Sequence, residues 1–489
     1  MKLSLFGVGD AGTRLLNEFV QGEADTGRNF TNGNVLAFNT AAEAFGEATV
    51  IPEERQILIG DTHPEVNQYV DPENDDPESA PGEGEAAPSE GSTAPGVDGD
   101  PDLGATIAGD ELPEIRRALD LVDDTEVDAA MLIVGLGGGT GAGVGSVLLE
   151  ELKSIYESPI YVLGVLPAST ESDQRALTAA RALRTFVPMA DAVLPVDNDA
   201  WRRDADPLAE QYDRINEAVT TRVLSLFAAG ETEPESVSEM RIDPADMRRT
   251  LAVGGLASIG YSTVEVETDS DGLLASLWRL LGLADETPDT KTDAATIKRL
   301  VRRALESKLT LPCDITSADR VLLILSGPPG DISRKGFETG RYLLEQETTT
   351  VEVLAGDEPV PSASTITATV LLSNVTDVPR IDELQRRGVD HLPDTETASE
   401  SGSTTDGNSE DHGFEFRDGG VDPDEAEPAT ESDADSTDGA AGSDAGSAAA
   451  ADEVIDDDAD EAATADAADN EVADGDESVE SKPATADSE

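Results

Sequence analysis

The chain has 489 residues with 103 acidic against 33 basic side chains, a formal charge of −70. Phosphate backbones reward Lys and Arg, so unassisted binding to DNA or RNA is not expected. One cysteine, Cys313, permits no intrachain disulfide, and three histidines (His63, His391, His412) supply neither a Cys/His zinc site nor a Ser-His nucleophile pair.

The acid is unevenly placed. Residues 394–489 hold 33 acids and two bases, Arg417 and Lys482, while residues 71–103 hold 11 acids, six prolines and no base. Neither composition buries enough apolar surface for a core, so a disordered tail and a disordered insertion are expected. The other 360 residues make about two domains at roughly 150 residues each. Only seven of the chain's bases are Lys, and an acidic, Lys-poor surface points to a cytosol of high salt, where screening tames self-repulsion. No apolar run approaches the length of a membrane span, so a soluble cytoplasmic protein is expected.

In chain order, residues 3–6 read as a strand entering Gly7, Gly9, Asp10, Ala11 and Gly12, followed by helical spacing over 14–20. A strand over 34–38 and a helix over 112–121 precede a buried strand over 129–134. That strand enters Gly137, Gly138, Gly139, Thr140, Gly141, Ala142 and Gly143, and a helix over 144–156 follows. Strands over 160–165 and 192–196 flank a helix over 172–186, and a long helical segment spans 208–229. This alternation predicts a parallel Rossmann-like α/β sheet covered on both faces, with a long central helix. Beyond it, strands over 258–266, 321–325, 350–354 and 365–372 mix with helices over 247–251, 273–283, 296–305 and 333–344. They predict a smaller α+β domain. The expected boundaries are 1–229, 230–393 and a tail over 394–489.

Two glycine-rich strand-to-helix turns in one sheet can hold one polyphosphate from both sides, since their amides wrap an anion at the positive ends of helices. A nicotinamide dinucleotide would want an acid at the end of the second strand, where Asn39 and Thr40 stand, and no P-loop lysine motif occurs. Phosphate charge is left to amides, helix ends and Mg²⁺. Bland alternatives stand beside these readings. Asp243 could be a helix N-cap, Glu171 and Arg175 a surface ion pair four apart, Asn198 a cap and Asn216 a solvated helix residue.

The residues resemble the tubulin/FtsZ superfamily, and most nearly its archaeal CetZ group, over about residues 1–393. The stretch 137–143 is similar to that family's G-G-G-T-G-[SA]-G phosphate loop, Gly7 to Gly12 to its first nucleotide loop, and Asn39 with Thr40 to its second. The resemblance implies GTP or GDP as ligand with Mg²⁺, Glu171 and Arg175 near the ribose, and Asn198 and Asn216 reading guanine. It implies that Asp243 and Asp246, in a loop beginning at Arg241, are catalytic acids that complete the next subunit's site in a head-to-tail homopolymer, or a copolymer with relatives, shaping the cell. Arg241 stands where the division branch has Asn, and Asp98, Asp100 and Asp102 fall in the stretch that resembles the third nucleotide loop, where they would repel a γ-phosphate unless they face solvent or hold Mg²⁺ through water. An FtsZ-like division protein and a non-hydrolysing filament regulator are the other readings.

Overall fold

The computed structural model describes residues 1–64, 66, 96–203, 206–231, 241–266, 294–329, 331–332, 334–350, 352–361 and 363–391. The expected tail with its aromatic stretch at 414–417, the helix expected over 273–283 with Trp278, and residues 71–95 of the expected insertion lie outside them.

Six strands form a wholly parallel sheet: β1 (Leu3–Val8), β2 (Val35–Asn39), β3 (Gln56–Leu58), β4 (Ala129–Gly135), β5 (Ile160–Leu166) and β6 (Ala192–Asp197), in the order β3-β2-β1-β4-β5-β6. Strands β1, β2 and β6 are buried at every position, as apolar strands sandwiched between helices are. Alternate residues feed two cores. Phe6, Val8, Leu132 and Val134 face α4 (Gly139–Ile155) and α5 (Asp173–Met189), whereas Leu5, Met131 and Ile133 face α1 (Gly9–Thr26) and the central α7 (Tyr212–Phe227). Chain order reverses between β1 and β4, which opens a crevice at their carboxyl ends.

A second sheet orders β7 (Ala257–Glu265), β10 (Thr365–Ser373), β8 (Arg320–Gly327) and β9 (Glu352–Pro359) as β7-β10-β8-β9. Strand β10 is antiparallel to β7 and β8, and β9 is parallel to β8. Helices α8 (Pro244–Leu251), α9 (Ala294–Glu306), α10 (Arg334–Glu347) and α11 (Pro379–His391) accompany it. A Val193–Leu256 bridge joins the strands of the two sheets, and half-buried Arg28 pairs with buried Glu358 at 2.9 Å, tying the end of α1 to β9.

The insertion ends earlier than expected. Residues 96–103 are folded: Val97 is buried, the Asp100 carboxylate caps α2 (Pro101–Asp110) by accepting from the amides of Asp102 and Leu103, and Pro101 fits the first helical position. Helix α3 (Leu112–Leu119) follows. The long helical segment also divides: a 3₁₀ turn, Leu208–Gln211, precedes α7.

Helix α2 rests on α4 through glycines. A Cβ on Gly143 would lie 2.2 Å from the Pro101 carbonyl oxygen and 2.8 Å from the Ala105 nitrogen, both backbone atoms that cannot swing aside. Gly143→Ala is therefore expected to destabilise the fold by about 1–3 kcal/mol, measured by chemical denaturation in concentrated KCl.

Candidate functional site

A cavity of about 360 Å³ opens where β1 and β4 end. Helix α1 starts at Gly9, whose φ of 71° suits glycine, and its N-cap Val8 offers no side-chain acceptor. Helix α4 starts at Gly139 behind Gly138, again with no side-chain cap. Both helices therefore present first-turn amides and positive dipole ends to the cavity, the arrangement that binds phosphate. The turns touch: a Cβ on Gly9 would lie 3.1 Å from the Gly141 nitrogen, and one on Gly141 only 2.3 Å from the Gly135 carbonyl oxygen. Gly138 differs, with no other atom within 4.0 Å of such a Cβ except the Gly135 oxygen at that limit.

Side chains lock these turns together. The Asn39 amide donates to the Asp10 carboxylate at 3.1 Å while its oxygen accepts from the Ala41 amide, and the hydroxyls of Thr40 and Thr140 lie 2.7 Å apart. Val97, Asp98 and Gly99 form another part of the wall. Of the three aspartates expected near the phosphate, only Asp98 lines the cavity, because Asp100 caps α2 and Asp102 lies off the wall.

On the opposite side stand Asn198, opening the single turn α6 (Asn198–Trp201), and Asn216 on α7. Neither side-chain amide is hydrogen-bonded among the described residues, and the cap of α6 is Asp197, so the capping alternative for Asn198 falls. Tyr212, one turn before Asn216 on the same helix, also lines the cavity; its i, i+4 spacing from Asn216 was the sequence signal that could have found it. Burial first, then the Glu171 charge, pushes the Tyr212 phenol up.

The expected ion pair and the expected cavity role of Glu171 and Arg175 coexist: they meet at 2.8 Å, both line the wall, and Glu171 also accepts from the Ala168 amide at 2.7 Å. Asp199 accepts from the Ser169 hydroxyl at 2.7 Å and its amide at 3.1 Å. Partial burial pulls the Asp199 carboxyl upward, but those bonds and nearby arginines hold it below its ordinary value.

Not every expected residue reaches the cavity. Gly7, Gly12, Ala142 and Gly143 stand behind the wall; a Cβ on Gly12, for instance, would strike the Ile133 carbonyl at 2.3 Å. Asp243 and Asp246 are also absent from it, and Asp243 caps α8 by accepting from the Ala245 amide at 2.7 Å. On α8, Arg248 reaches Asp128 at 3.5 Å, and Asp128 accepts from the Lys2 amide. That helix thus sits by the amino ends of β1 and β4, while the cavity lies at their carboxyl ends. Seven residues of β4 separate the two by roughly 20 Å.

The chain matches the family model for the Tubulin/FtsZ GTPase domain over residues 2–206 and that for the tubulin-like CetZ C-terminal domain over residues 205–390. Tubulin-like protein CetZ1 of Haloferax volcanii is 37% identical over 394 residues, covering 80% of this chain and 92% of that protein. A tubulin-like CetZ of Thermococcus kodakarensis is 26% identical, covering 79% and 85%. Among solved structures, the GDP-bound CetZ1 monomer from Haloferax volcanii superposes with a TM-score of 0.63 at 34% identity, covering 80% of this chain and 99% of that one. A GTPγS-bound CetZ2 protofilament from the same organism gives 0.63 at 30%, covering 82% and 100%.

Gly138 has room for a methyl group, so packing does not require glycine there. Gly138→Ala is expected to leave stability within about 0.5 kcal/mol of wild type and to weaken nucleoside triphosphate binding roughly tenfold by crowding the phosphate amides. Thermal melting and titration calorimetry in concentrated KCl check both.

Proposed function

As a member of the tubulin/FtsZ family, in its CetZ group, this chain has a tubulin-like fold with a GTPase domain, and we propose that it binds GTP in the cavity, polymerises head to tail and hydrolyses GTP with acids supplied by the neighbouring subunit. The observation that carries this reading is the separation of cavity and acids by the length of a parallel strand. A carboxylate that orients the attacking water must stand within hydrogen-bond reach of it, so Asp243 and Asp246 can act only on another copy's nucleotide. A contact between unlike faces repeats without closing and makes a filament. The protofilament form of the CetZ2 relative supports it.

In this reading the triphosphate lies on the amides of residues 9–11 and 137–141, and guanine lies between Asn198, Asn216 and the Tyr212 ring. The two unengaged amides offer both donors and acceptors to the guanine edge. The oxygens at the phosphate end, from Asp10, Thr40 and Thr140, fit Mg²⁺, which neutralises phosphate charge when bound. Asp246 is the stronger candidate for orienting water, since the Asp243 carboxylate already accepts from Ala245. We assign the filament a cytoplasmic role in cell shape, on the CetZ resemblance and on Arg241 in place of the division branch's Asn. The domain boundaries proposed are 1–229, 230–393 and a tail from 394.

A mixing experiment tests the division of labour. Asp246→Ala retains the cavity and Asn198→Ala retains the acids, so each alone is expected to turn over GTP at a small fraction of the wild-type rate. An equimolar mixture is expected to recover turnover, steeply with total protein concentration. No gain on mixing, with both variants folded and wild type active, rejects the shared site.

A further inference from the structure

Helix α11 comes from the end of the described chain, yet it packs on α5 and reaches the base side of the cavity. Arg380 is 7% exposed. Its guanidinium donates to Asp197 at 3.1 Å, to the Pro167 carbonyl at 2.6 Å and to Glu383 at 2.9 Å. Asp197 immediately precedes Asn198 and caps α6 through the Asp199 amide, and Pro167 lines the cavity. Since Ser169 donates to Asp199, a closed ring runs from Arg380 through Asp197, Asp199 and Ser169 to Pro167 and back. Asn198, which lines the cavity, lies in the chain between the two ring members Asp197 and Asp199. Seven residues on from Arg380, Arg387 donates to the Glu171 carbonyl at 2.8 Å and to Asp173 at 2.7 Å, holding the other end of the 167–171 loop.

We infer that Arg380 is a positioning residue for base recognition: it aims the Asn198 amide by clamping the 197–199 turn to the 167–171 loop, while Arg387 steadies only the ribose side. A buried guanidinium suits this, because its rigid fork satisfies two loops at fixed angles, which a lysine cannot do. The inference rests on the guanine-nucleotide reading of the cavity.

The test uses the full chain in concentrated KCl and GDP carrying a methylanthraniloyl fluorophore. Arg380→Met is expected to release the labelled GDP roughly tenfold faster or more, and to bring the affinities for GDP and IDP together, because inosine lacks the 2-amino group an aimed amide would read. Removing one partner of a buried pair endangers folding, so Asp197→Asn/Arg380→Met is the companion: it removes both charges and keeps an amide oxygen for the Asp199 cap. It is expected to fold and to show the same two losses. Arg387→Gln is expected to speed release while leaving GDP preference over IDP unchanged. Wild-type release and selectivity in the folded double variant overturn the inference. Should neither Arg380 variant fold, wild-type release from Arg387→Gln, or an altered selectivity there, counts against it. Failure of the wild-type chain to bind labelled GDP sinks the nucleotide reading instead, which keeps the two failures distinct.

Discussion

Two helices begin side by side at the carboxyl ends of β1 and β4 with no side chain to cap either one, and most of the molecule is arranged around that fact. Uncapped first-turn amides in a half-enclosed crevice need an acceptor, and leaving one unmet costs about 1–3 kcal/mol. Glycine is what allows the two turns to meet, as the approach of Gly9 to Gly141 and of Gly141 to Gly135 requires. The same economy of side chains lets α2 lie on α4, where Gly104 of α2 faces Gly139 and Gly143 of α4, and so brings residues 97–99 over the cavity. In the proposed reading, a polyanion supplies what the fold withholds from its own backbone.

That much was legible in the sequence because each turn sits between a short apolar strand and a helical pattern, and because Asn39 ends the second strand where a dinucleotide enzyme would carry an acid. Helix α2 was not legible. Its apolar residues are few, it begins at a proline that closes an acid-rich run, and its helical state depends on the α4 surface beneath it. Helix α11 was hidden differently: Arg380, Asp382, Glu383, Arg386 and Arg387 mask a narrow face of Ile381, Leu384 and Gly388. No local pattern discloses that Arg380 would be buried against Asp197, more than 180 residues earlier. Three-residue β3 is too short for periodicity to register at all.

A chain with so much negative charge also reveals how it uses its cations. The bases it buries or half-buries among the described residues include arginines at junctions: half-buried Arg28 against Glu358, Arg380 against Asp197, and Arg222 between the rings of Trp201 and Tyr261 at 4.3 and 5.3 Å. Burial pulls Arg222 down to about 10, which leaves it charged at neutral pH, and its support comes from the ring faces and the Ala218 carbonyl. Trp201 belongs to the first sheet's last turn and Tyr261 to the second sheet, so α7 joins the two through one guanidinium. An ammonium, more strongly hydrated and without a planar face, is a poor substitute there. On the outside, high salt screens the like charges; inside, arginine supplies geometry that screening cannot remove.

The placement of α8 turns these local facts into a rule about assembly. Arg248 holds that helix to Asp128, and Arg249 and Arg320 hold it to Glu352 and to each other, so its acids are fixed features of one end of the subunit. The cavity at the other end is equally fixed by Asn39, Thr40 and Thr140. Neither end has a partner across the roughly 20 Å of strand between them. Joining them inside one molecule would require unfolding β4, whereas joining them between molecules requires only that one copy stand on the next. In the proposed reading, hydrolysis belongs to the contact between subunits, and distance alone would protect the dilute subunit from turnover.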